Sequence, residues 1–175
     1  VNVEFQITFV YIRTDHSLGP DNEYQRALGL HRSTIEEEKA DTVSIAFMPE
    51  YVKAGVIDAE TLKKIYTTWV VYRLFLKAQP LEAHRVGELI HFNFLHDNGA
   101  FYFDENNKLH INFDRFHEVV FAMLKETIEV QLSKSSEKAK AFIDKYTNWG
   151  KHSQYIAEVQ KELGVKNYIV IKDYF

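Results

Sequence analysis

A mainly α-helical domain carrying one small β-hairpin and a short C-terminal strand is what the sequence predicts, on three observations. Apolar residues recur at helical spacing through several segments bounded by Pro or Gly. Two short apolar runs flank a polar turn at residues 104–107. The 175 residues are 46% apolar and 14% aromatic, enough for a substantial core and too much for long disorder. With no internal repeat and no dividing linker, residues 1–175 are expected to form a single helical domain.

Residues 4–14 are apolar and β-branched, a pattern that fits a strand or a buried helix equally. The stretch at 17–22, with Gly19-Pro20 and Asp21-Asn22, breaks the chain into a loop after His16. Ser33-Thr34-Ile35-Glu36 has capping-box spacing and predicts a helix over 33–48, stopped by Pro49. Asp58 is placed to cap a second helix through Ile65, Trp69, Tyr72 and Leu76 that ends before Pro80. A third is predicted over 81–98 with Gly99 as its stop, and these three are expected to form the core. The stripe of Tyr66, Trp69, Tyr72 and Phe75 reads as core packing.

Ala100-Phe101-Tyr102-Phe103 and Leu109-His110-Ile111-Asn112 enclose Asp104-Glu105-Asn106-Asn107 and predict the hairpin. Asp114 is placed to cap a helix bearing Phe116, Val120, Leu124 and Ile128. Ser135 or Ser136 starts another with Ala139, Phe142, Ile143 and Tyr146. A last helix is expected around 155–163, ending at Gly164, followed by the strand at 168–171.

A net charge of -4 and a pI near 6.1, with no basic stripe, exclude nucleic acid as the expected partner. The absence of cysteine leaves His, Asp and Glu as the only metal donors, and fits a reducing, cytoplasmic location. No apolar run reaches the roughly 20 residues needed to cross a bilayer, so no membrane partner is expected.

Glu36-Glu37-Glu38-Lys39-Ala40-Asp41 is the unusual stretch. At about 100° per residue, Glu36 shares a face with Ala40, Val43 and Phe47, while Glu37 and Asp41 project together beside it. A carboxylate in an apolar stripe needs a cation, a hydrogen bond, a metal or a proton. First-turn acids that cap the helix and favour its positive end explain the same residues without any site. Further on, His84, Glu88 and His91 lie on one arc of a helix, spaced either for a metal or proton-transfer cluster or as satisfied core histidines. His96, His110, His117 and His152 show no ligand spacing with one another.

The run from Ser33 to Asp41 resembles the second zinc motif of the dipeptidyl peptidase III family, in which a Glu-Glu pair is followed by a basic residue, a small residue and an acid. The likeness extends over residues 3–146, to the C-terminal part of the bacterial branch, through Glu82-Ala83-His84, Asn98-Gly99-Ala100-Phe101 and Ile143-Asp144-Lys145-Tyr146. It implies a helical zinc-peptidase lobe from the C-terminal part of a longer protein whose N-terminal lobe is a further partner. By the same resemblance Glu37 ligates zinc, Glu36 and Asp41 orient the metal-bound histidines, and His84 steadies the substrate carbonyl in the transition state.

The upstream motif departs from the family pattern. His16-Ser17-Leu18-Gly19 matches only the end of a helix that elsewhere carries two histidines and a glutamate. Counting back from His16 puts Tyr11 or Ile12 where the first His belongs, and Ile12 or Arg13 where the catalytic Glu belongs. His16 and Glu37 are thus the expected residual ligands, with His31 close enough in sequence to join them. Three functions follow for this zinc-peptidase-like chain. They are removal of dipeptides from peptide N-termini, peptide binding without hydrolysis, and a purely structural lobe.

Overall fold

The computed structural model describes residues 23–74, 82–106 and 108–148. The order of elements is α1 (Glu23–Leu28), a 3-10 turn (Gly29–His31), α2 (Arg32–Ala46), α3 (Met48–Lys53), α4 (Ala59–Arg73), α5 (Ala83–Asp97), β1 (Phe101–Phe103), β2 (Leu109–Ile111), α6 (Phe113–Leu132) and α7 (Ser136–Tyr146). The described residues are therefore mainly helical with one two-stranded antiparallel sheet, as expected. His16, the segment at 4–14, the helix at 155–163 and the strand at 168–171 lie outside the described residues.

Two starts differ from their predicted caps. Gly29, at φ +58°, leads a 3-10 turn straight into α2, so His31 is already helical and Ser33 falls inside the first turn with no cap to form. Likewise α6 begins at Phe113, one residue before Asp114, because Asn112 closes the hairpin through its N–H to the Ala100 carbonyl and receives Phe116 N–H on its own carbonyl, both at 2.9 Å. Elsewhere the caps hold. Asp58 accepts from Thr61 N–H at 2.7 Å, Ser135 from Lys138 N–H at 3.2 Å, and Gly99 at φ +75° ends α5. Pro49 sits in the first turn of α3, so it both stops α2 and starts the next helix. Neither α1 nor α3 was signalled by periodicity, each being six residues long.

In the hairpin, Phe101 pairs with Ile111 and Phe103 with Leu109. Its turn is held by one residue. Asp104 accepts from Asn106 and Lys108 N–H at 2.8 and 2.9 Å, and its other oxygen lies 2.8 Å from His110 Nε2.

The core is built on α2, α5 and α6, with α4 and α7 packed outside them, so α6 takes the place expected of α4. α6 inserts Phe116, Val120, Met123 and Leu124, while α5 is buried without a break from Ile90 to Leu95. α5 crosses α2 closely at Gly87, where an added Cβ would stand in ordinary contact, 3.4 Å from Glu38 N and 3.5 Å from its Cα. Tyr66 of α4 stacks on Phe116 at 4.3 Å between centroids, and Trp69 meets the same ring edge-on. Tyr72, six residues and roughly 240° round the helix from Tyr66, is exposed and not part of the core stripe.

The inward face of α2 also differs from the wheel reading. Ile35, Glu38, Lys39, Thr42, Ile45 and Ala46 are buried, whereas Ala40 is exposed and Val43 and Phe47 only partly covered. With α5 on one side and α6 on the other, the packed stripe is centred on Glu38 and Thr42.

Candidate functional site

Two of the sequence-predicted residues meet. Glu37, on the second turn of α2, places Oε2 3.3 Å from Nδ1 of His84 at the start of α5. They are 47 positions apart in sequence, and both remain partly exposed. The close α2–α5 crossing at Gly87 brings these helix starts together. Glu82 fixes the first turn of α5 by accepting from His84 N–H at 3.3 Å.

Glu36 faces a different way. Its carboxylate takes the buried Lys39 ammonium at 3.0 Å and accepts from Gln131 Nε2 of α6 at 2.8 Å, while Lys39 also donates to Gln131 Oε1 at 3.0 Å. The expected cation therefore comes from the next turn of the same helix. Asp41 lies one turn beyond Glu37, with Oδ2 3.8 Å from Nη2 of the buried Arg73.

Behind these residues is a buried polar network that the sequence reading did not single out. Glu38 is fully enclosed. Burial pushes its carboxyl up to about 7, against the pull of the Thr127 and Thr42 hydroxyls. Thr42 donates to Glu38 Oε1 at 2.8 Å and stands 3.1 Å from His91 Nε2, which is also 3.1 Å from the Glu38 carbonyl. On the other side of the ring, Arg73 Nη2 lies 3.2 Å from His91 Nδ1. A guanidinium can only donate, so Nδ1 is the acceptor and Nε2 carries the proton. Burial, and then the Arg73 charge, hold His91 well below the usual imidazole range, so it is neutral. Of the arc formed by His84, Glu88 and His91, only His91 is a core histidine. Glu88 is nearly buried and pairs with Arg85 at 3.1 Å.

Arg73 is pinned from several directions. Its guanidinium lies 3.6 Å over the Trp69 ring, and Nη1 donates to the Trp69 carbonyl at 2.9 Å. A signal for this network existed in the sequence: Glu38 and Thr42 are four apart and in phase with Ile35 and Ile45. The adjacent and more conspicuous Glu36-Glu37 pair masked it.

A structural or catalytic zinc needs at least three protein donors. Among the described residues, no group of three or more His, Cys, Asp or Glu is disposed to hold a metal. Glu37 and His84 offer two converging donors, and His16 lies outside the described residues. The described donors therefore do not by themselves fit zinc.

The arrangement is a helical lobe with a carboxylate–imidazole pair at the junction of two helix starts. Its structural likeness is to dipeptidyl peptidase III. The structure of that protein from Caldithrix abyssi superposes with a TM-score of 0.72 at 24% identity, over 79% of this chain and 27% of that one. The dipeptidyl-peptidase III of Corallococcus sp. strain EGB gives 0.71 at 23% identity, over 78% and 26%. The chain thus has a dipeptidyl peptidase III-like fold and spans about a quarter of the length of those structures. Among curated proteins, Nudix hydrolase 3 of Arabidopsis thaliana is 24% identical over 130 residues, 73% of this chain and 17% of that protein. No family model matches.

Proposed function

We propose that this chain is a dipeptidyl peptidase III-like lobe that binds peptide at the Glu37–His84 pair without hydrolysing it. The observation that carries the reading is the convergence, at 3.3 Å, of the two segments that resemble the peptidase family. With Nδ1 turned to Glu37, the partly exposed ring keeps Nε2 for a hydrogen bond to a peptide backbone. Glu37 thereby acts on peptide through the orientation of His84.

The noncatalytic part rests on residues 11–13. A metal-dependent hydrolase requires three ligands, a water and a base beside that water. Tyr11, Ile12 and Arg13 supply neither the first histidine nor the base that the family pattern would place there. A second reading, a structural lobe within a larger protein, is favoured by the small share of the dipeptidyl peptidase structures that the chain covers.

Three measurements on the purified chain separate these readings: zinc content beside a Glu37→Gln variant, hydrolysis of a dipeptidyl arylamide, and calorimetric binding of a tetrapeptide beside His84→Ala. We expect negligible zinc in both proteins, no hydrolysis, and tetrapeptide binding weakened about tenfold by His84→Ala, the loss of one hydrogen bond. Stoichiometric zinc that disappears in Glu37→Gln, together with hydrolysis, would establish a working peptidase instead. No peptide binding would leave the structural lobe.

A further inference from the structure

One turn along α2 from Glu37, a groove with a cavity volume of about 560 Å³ opens between α2 and α4. That is ample for one or two amino-acid residues. Its wall is mostly apolar, formed by Ile45, Ile65, Trp69 and Tyr72, with Lys64 and Arg73 as its cations. Asp41 and Glu88 also line it, so it is not simply a basic patch.

Arg73 is the informative member. It is 4% exposed, and its Nε has no hydrogen-bond partner among the described residues. Nη1 is used by the Trp69 carbonyl and Nη2 faces the His91 ring, while the Asp41 carboxylate stays 3.8 Å away. Burial lowers its pKa to about 10, so it remains charged at neutral pH. Nε is closed off from the groove, but each Nη carries a second hydrogen, and with Glu88 paired to Arg85 and Asp41 at 3.8 Å the guanidinium has no close carboxylate among the described residues, so an anionic oxygen is a fitting partner.

We propose that this groove binds the C-terminal residue of a peptide, with the α-carboxylate taken by Arg73 and Lys64 and an apolar or aromatic side chain laid on Trp69 and Tyr72. The identity of the ligand rests on the peptide-binding reading above, whereas the preference for a carboxylate rests on Arg73 itself. The placement gives the bound chain a direction. The carboxyl end lies between Arg73 and Lys64, and the residues before it run back along α2 toward Glu37 and His84.

The test uses the unmodified protein and two forms of one probe, the tetrapeptide Ala-Ala-Ala-Phe with a free C-terminal carboxylate or a C-terminal amide. Calorimetry should find the acid bound about tenfold or more tighter than the amide, the difference expected of a charge-assisted pair. Lys64→Glu, on the exposed face of α4, should narrow that gap, and Tyr72→Ala should weaken both forms. Equal affinity for acid and amide would overturn the groove assignment while leaving peptide binding intact. If neither form binds, the peptide reading fails and this assignment fails with it.

Discussion

Glu38 and His91 sit side by side and respond to pH in opposite directions. The folded chain keeps the Glu38 proton up to about pH 7, where an unfolded glutamate loses it near 4.5. Between those values the folded state holds more protons, so the Glu38 contribution to stability falls as pH rises and levels off above about 7. The total change is about 3 kcal/mol. His91 is neutral when folded and protonates below its ordinary 6.5 when unfolded, so its contribution rises as pH climbs toward that value. Urea denaturation of the wild type and Glu38→Gln at pH 5, 6, 7 and 8 isolates the first effect. The variant should gain relative to wild type by pH 8 and lose the downward slope. A constant difference across that range would mean that the carboxyl titrates normally.

At the scale of elements, what was legible depended on how locally each signal is written. Asp58, Ser135 and Gly99 were readable because each satisfies or ends its own helix through its immediate neighbours. The hairpin was readable for the same reason, with Asp104 organising the turn. Ser33 and Asp114 misled because the preceding 3-10 turn and the hairpin closure determine where those helices start. The inner face of α2 was hidden more deeply. It depends on α5 and α6 gripping it, and a polar pair, Glu38 and Thr42, occupies its centre where a hydrophobic count looks for aliphatics. Glu37 and His84 were found as separate residues; their meeting required the helix crossing.

That crossing can be probed directly. At Gly87 an added methyl would make ordinary contact with the α2 backbone, at 3.4 to 3.5 Å. Gly87→Ala should therefore be neutral or stabilise by up to about 1 kcal/mol through helix propensity. Gly87→Val should cost about 2 kcal/mol or more, because its two methyls must displace the Glu38 backbone. Thermal denaturation of both variants checks this, and equal melting points would show that the helices are not in close contact there.

For the whole molecule, α2, α4, α5, α6 and α7 share one cluster of buried side chains. A shared core of this kind should unfold in one step. In a Trp149→Phe background, Trp69 fluorescence and far-ultraviolet dichroism should give the same urea midpoint. Separate midpoints would show that α4 is only loosely attached. Among the described residues no helix is long and apolar enough to cross a membrane.

Arg73 belongs to two neighbourhoods at once, closing the buried chain that runs from Glu38 through Thr42 and His91, and lining the groove wall beside Trp69. Its replacement would leave His91 Nδ1 without its donor and the Trp69 ring without its cation, whatever happens to any ligand. Selection for a chain that merely folds would thus preserve the groove's central positive charge. A change at Arg73 would therefore be felt in the core and in the groove wall together.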